Sequence, residues 1–102
     1  MSNPTAQDFT DNLNTSFNVQ LENGERLDLE LYEVVHKVAE ANEQSGMERF
    51  SIFFRGPASS LLGQRTYELV HQRLGTLQIF LVPISKDEQG FKYEAVFNRF
   101  LS

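Results

Sequence analysis

This sequence predicts a mainly all-β domain: about six antiparallel strands in a small barrel or a two-layer sandwich, with a short N-terminal helix. Three observations predict it. Apolar residues recur at every second position through most of the chain. Glycine, proline, asparagine and aspartate cluster between these runs, where reversals need them. The 9 Phe and 3 Tyr supply bulky strand-forming side chains, so a core can form around them.

The stretch 74–100, LGTLQIFLVPISKDEQGFKYEAVFNRF, organises the rest. Two apolar runs flank the polar segment 85–90, and this predicts a central hairpin with strands over 76–84 and 91–100, Leu77, Ile79 and Leu81 pairing in phase with Phe91, Tyr93, Ala95 and Phe97. Pro83 donates no ladder hydrogen bond, so it predicts an edge, a bulge or an exit from the sheet.

Towards the N-terminus, Thr5 followed by Asp8 three residues on predicts a capped helix over about 5–14, with Phe9 and Leu13 on one face, lying over an open end of the sheet. Phe17, Val19 and Leu21 then alternate with Asn18 and Gln20, predicting a strand over 16–22. Asn23 and Gly24 form a hairpin turn, and Leu27, Leu29 and Leu31 continue the period in a strand over 26–35. Segment 36–46 is polar and without a period of two, and predicts a long connection with at most a helical turn at 38–41. Phe50, Ile52 and Phe54 restore the alternation over 48–55, until Gly56 and Pro57 stop it. A surface loop at 59–63 leads to a strand over 64–71 with Tyr67 and Leu69 inward.

At 102 residues the chain holds one core, so the whole of 1–102 is expected to be a single domain. With no cysteine, disulfides, thiol chemistry and thiolate metal sites are excluded. The first residues have neither the basic nor the apolar segment of a secretion signal, and no run is long enough to span a membrane, so the expectation is a cytoplasmic protein without membrane insertion. The net charge of -5 is uneven. Residues 1–48 carry 2 basic and 10 acidic side chains, whereas residues 49–73 carry 4 and 1. The acidic front and basic middle are expected to complement each other across neighbouring strands. Net negative charge argues against duplex nucleic acid, whose phosphates need neutralising.

The blocks FSIFFRGP (50–57), LGQRTYELVH (62–71), LGTLQIFLVPI (74–84) and YEAVFNR (93–99), with DFTDNLNTSF (8–17) and LDLELYEV (27–34), resemble a family of small bacterial proteins catalogued only as a domain of unknown function. The resemblance implies a stand-alone bacterial domain with no assigned activity and no catalytic residues to carry over. Its association with genes for phage-tail-collar-like proteins implies an accessory of an extracellular or virion-like fibre.

No catalytic, cofactor or metal site is expected. Ser59 and Ser60 are not in a nucleophile elbow, although His71 and several carboxylates would complete a triad on paper. His36 and His71 lack metal-ligand spacing. A calcium loop starting at Asp11 fails because Leu13 occupies a ligand position, so Asp8, Asp11 and Asn12 read as helix-end groups. Asp28 and Glu30 share one strand face, as acids on a solvated face often do.

Beyond the core, the outward-phase positions Phe53, Val70, Phe80, Val82, Val96 and Phe100 are also apolar. They predict either a surface covered by the N-terminal helix or by strand curvature, or an interface for a protein partner or a second copy, with Phe53, Arg55, Phe80 and Val96 as its candidate residues. The alternatives are a small ligand in a barrel mouth at Arg65 and His71 with Arg55, and a single-stranded nucleic acid stacked on Phe53, Tyr67 or Phe80 beside Arg49, Arg55, Arg65 and Arg73.

Overall fold

The computed structural model describes residues 4–36 and 47–100. Helix α1 (Ala6–Thr10) precedes six strands: β1 (Ser16–Gln20), β2 (Arg26–His36), β3 (Met47–Gly56), β4 (Arg65–His71), β5 (Gly75–Asp87) and β6 (Gly90–Phe100). They close as an antiparallel barrel in the order β1-β2-β3-β6-β5-β4, so of the two architectures the sequence allowed, the barrel is the one formed. The polar connection and helical turn expected within 37–46 lie outside the described residues.

The period-two reading places the inward residues correctly. Phe17, Val19, Leu29 and Leu31 are buried together with Phe50, Ile52 and Phe54 of the neighbouring β3. Tyr67, Leu69, Ile79, Leu81, Tyr93 and Ala95 complete the core. Each large apolar side chain withdrawn from water stabilises the fold by about 1.5–3 kcal/mol before entropy is counted.

Helix α1 is shorter than expected. Thr5 and Asp8 form the anticipated capping box, the Thr5 hydroxyl accepting from the Asp8 N–H at 3.1 Å and the Asp8 carboxylate accepting from the Thr5 N–H at 2.9 Å. The Asn12 side chain then donates to the Asp8 carbonyl at 2.7 Å, and Asn14 adopts a left-handed φ of 66°, which ends the helix. The Asn14 N–H is handed to the Leu31 carbonyl of β2 at 2.7 Å.

The central hairpin also differs from expectation. Its strands run on to Asp87 and restart at Gly90, because Asp87 Oδ1 accepts the N–H groups of Gln89 and Gly90 at 2.8 and 3.2 Å and tightens the turn. Gly90 has a φ of 138° and lies so close to β3 that a Cβ there would sit 1.9 Å from the Gly56 carbonyl oxygen. Pro83 lies at a register shift between Pro83 and Ser85, one of the outcomes its missing N–H predicted.

Pairing within the hairpin is confined to its tip. The β5–β6 register runs from Val82↔Glu94 to Asp87↔Gly90. Leu77, Ile79 and Leu81 face the core as expected, but their ladder partners are Leu69, Tyr67 and Arg65 of β4, not residues of β6. The stretch Gly75–Leu81 pairs with β4, and Ala95–Phe100 pairs with β3. Between these two stretches the barrel wall has a seam without a described ladder.

Each end of the barrel has its own plug. At the end carrying the β1–β2 and β5–β6 turns, the loop 57–64 folds inward, and the Leu62 N–H donates to the Tyr93 hydroxyl at 2.9 Å. At the opposite end α1 inserts Phe9, whose ring lies 5.6–6.3 Å from those of Phe17, Phe50 and Phe97.

Candidate functional site

The outer wall of β2, β3, β6 and β5 carries the outward apolar set in rows fixed by the register. One row runs Glu33, Phe53, Glu94, Val82. The next runs Val35, Ser51, Val96, with Phe80 on β5 across the seam from it. Phe80 is 49% exposed and Val96 50%, whereas Phe53 is half-buried with its ring 6.2 Å from that of Tyr32. Ser51 is buried beneath this row, its hydroxyl without a hydrogen-bond partner among the described residues.

The helix does not cover this wall. Phe9 is turned into the barrel, so the expectation that α1 shields the outward set is corrected: the burial of Phe9 and Ala6 is satisfied at the open end, as the chain's own order suggested. Val70 is exposed on β4, away from the rows above, and the side chain of Phe100 lies outside the described residues.

Arg55 borders this face. Its partners across the ladders are Glu30 and Lys92. The guanidinium lies 3.7 Å from the Glu30 carboxylate and 4.7 Å from the centre of the Tyr32 ring, with Lys92 Nζ 5.7 Å from the same ring. A ring between two cations gains from both, and burial pushes the Tyr32 hydroxyl up despite them. Tyr32 was missed by sequence reasoning. The signal was present, since Tyr32 follows the outward phase of Asp28 and Glu30, but the register shift between Leu31 and Glu33 that turns it towards Arg55 has no mark in the sequence.

The ligand mouth proposed for Arg65 and His71 is not assembled. The two residues begin and end β4, at opposite ends of the barrel. Arg65 is exposed, 2.9 Å from the Glu22 carboxylate, and this hydrogen-bonded pairing holds Glu22 below the usual carboxylate range. His71 is 4% exposed, its ring tilted against that of Phe17 with centroids 4.3 Å apart. His71 Nδ1 accepts the N–H groups of Arg73 and Leu74 at 3.0 and 3.1 Å, so the ring proton belongs on Nε2, which lies 2.9 Å from the Thr15 hydroxyl. That hydroxyl donates to the Asn12 carbonyl at 2.6 Å. Burial, with Arg73 nearby, depresses the His71 pKa and keeps the imidazole neutral. Arg55, Arg65 and His71 border three separate hollows of about 440, 190 and 410 Å³.

Other candidates also stand apart. Ser60 is in the loop at the Tyr93 end, whereas His71 closes the helix end with both ring nitrogens engaged. Tyr67 points into the core and donates its hydroxyl proton to the Gly63 carbonyl at 2.7 Å, so it offers no open face for a base. Asp28 accepts from Asn18 and Glu30 faces Arg55, so each acid has its own partner. The Glu22–Arg65 and Glu30–Arg55 pairs are the expected complement of acidic front and basic middle. Among the described residues there is no cluster of His, Asp and Glu able to hold a metal, and no helix long and apolar enough to cross a membrane.

One further hollow has a different character. In the seam between β5 and β6 lies a cavity of about 260 Å³, lined by Pro4, Phe9, Leu77, Ile79 and Phe97 with Thr76 and Gln78 on the β5 side. Among the described residues, no charged one lines it.

Together these features define a small closed β-barrel with an apolar outer wall. The chain belongs to the family described as domain of unknown function (DUF6916), which matches residues 4–97. No curated protein and no solved structure matches it.

Proposed function

We propose that this chain is a non-enzymatic interaction module that associates with other protein chains, or with itself, through the outer wall of β3, β6 and β5. The observation that supports this reading is the half-exposure of Phe80 and Val96 on a barrel whose core is complete without them. Phe53 sits beside them between Glu33 and Glu94, with Arg55 and Tyr32 forming a polar and aromatic border, the mixture of apolar centre and charged rim common at protein interfaces. The finer reading is an accessory of a bacterial, phage-tail-like extracellular assembly, and its support is the sequence resemblance.

Sedimentation of the purified protein at micromolar concentration, compared with Phe53→Glu and Val96→Glu, tests the proposal. Association that both substitutions abolish without lowering thermal stability is the expected result. A monomer that sediments identically with and without the substitutions, and captures no partner from its native host that the variants fail to capture, would overturn it.

A further inference from the structure

We infer that the open seam between β5 and β6 receives an extended, uncharged peptide strand, bound by its backbone along the wall and by apolar side chains in the cavity beneath. Three observations carry this. First, Gly75–Leu81 has its ladder on the β4 side and Ala95–Phe100 on the β3 side, so along the seam each strand presents backbone groups that no described strand meets. Backbone donors and acceptors left facing a gap are satisfied best by another backbone, which is how sheets capture extended segments.

Second, the floor beneath is built mainly of packed apolar side chains, with Thr76 and Gln78 at its β5 edge. Phe97 stacks on Phe50 with centroids 4.9 Å apart and packs against Phe9 at 5.6 Å, and with Leu77 and Ile79 it lines the cavity of about 260 Å³. Every second side chain of a seated strand would point into this floor, the others outward between Phe80 and Val96.

Third, the charge of the site selects the occupant. Among the described residues, none that lines the cavity is charged. The hollows beside Arg55, Arg65 and His71 are each lined by at least one acid and one arginine. A Lys or Asp entering the seam would lose its hydration with no counter-charge to meet it, so an uncharged segment is favoured. A small apolar molecule would fill the floor but leave both backbone edges unmet, which is why the peptide is the better fit.

The inference shares Phe80 and Val96 with the interaction reading above but rests on the backbone of the seam. Its test uses acetylated, amidated hexapeptides alternating Thr with Val, Leu or Phe, titrated into the isotopically labelled protein while backbone amide shifts are followed. Shifts concentrated at 75–80 and 95–98 are expected, with binding about tenfold weaker when alternate peptide amides are N-methylated and about tenfold weaker to Phe80→Asp, since each removed contact or added charge is worth roughly one such factor. The N-methylated peptides leave the protein unaltered, so a poorly folded variant does not decide the result. No shift along the seam, or equal binding of methylated and unmethylated peptides, would overturn the strand. Phe53→Glu separates the two proposals: seam shifts that survive it while association is lost mean that both hold. Association lost to Phe53→Glu with no seam shift sinks this inference and leaves the outer-wall reading standing.

Discussion

The two ends of this barrel are closed by different means. At the Tyr93 end the β5–β6 ladder is zipped to its tip and one loop residue, Leu62, is drawn in by a single hydrogen bond. At the helix end the ladder stops at Val82↔Glu94, and closure depends on an inserted helix, on Phe9, and on the His71, Thr15 and Asn12 network. The difference teaches that backbone pairing and side-chain plugging are alternative ways to finish a small barrel. The end plugged by the helix is the one with a seam beside it that no described ladder closes.

Removing each plug breaks the comparison most severely. Phe9→Ala should cost about 3–5 kcal/mol, because its ring is buried among Phe17, Phe50 and Phe97 and the cavity cannot collapse. Leu62→Ala should cost less, about 2–3 kcal/mol, since a loop can settle into part of the space. Urea denaturation of both variants measures the difference, and equal losses would show that the ends are not distinct in this way.

The ends should also respond to opposite extremes of pH. His71 has a depressed pKa when folded, so the unfolded chain binds its proton first as pH falls below about 6.5. The stability that neutral His71 contributes is therefore present above that pH and lost as pH falls through the folded value, when protonated Nδ1 confronts the Arg73 and Leu74 N–H groups. Tyr93 has a raised pKa through burial, so its contribution is present below about pH 10 and lost as pH rises through the folded value. Melting temperatures across both ranges should show the dependence near the histidine range lost in His71→Gln and the alkaline dependence weakened in Tyr93→Phe, since Tyr32 and Tyr67, also raised by burial, share the alkaline arm.

The smallest effect sharpens the Tyr93 end alone. Tyr93→Phe leaves the Leu62 N–H without its acceptor and should cost about 1–2 kcal/mol near neutral pH, measured by denaturation.

The core was legible because alternation is a strong signal wherever one face is buried, and Phe17, Phe50, Ile79 and Tyr93 all lie where their phase puts them. The Thr5 and Asp8 cap was legible for the same local reason. What the sequence did not reveal depends on relations between distant strands. Nothing in the order of residues says that Tyr32 swings towards Arg55 or that the β5–β6 ladder stops at Val82, whereas the separation of Arg65 and His71 at opposite ends of β4 already follows from the strand expected over 64–71. The outer wall was visible as surplus apolar residues, Phe80 and Val96 above all, but its rows appeared only with the register.

Amide hydrogen exchange along β5 tests the incomplete zipping most directly. Alternate amides of Gly75–Leu81, those turned to the seam, should exchange far faster than their neighbours bonded to β4, while in the tip from Val82 to Asp87 the amides bonded to β6 are the protected ones. Uniform protection of every amide from Gly75 to Leu81 would contradict the open seam.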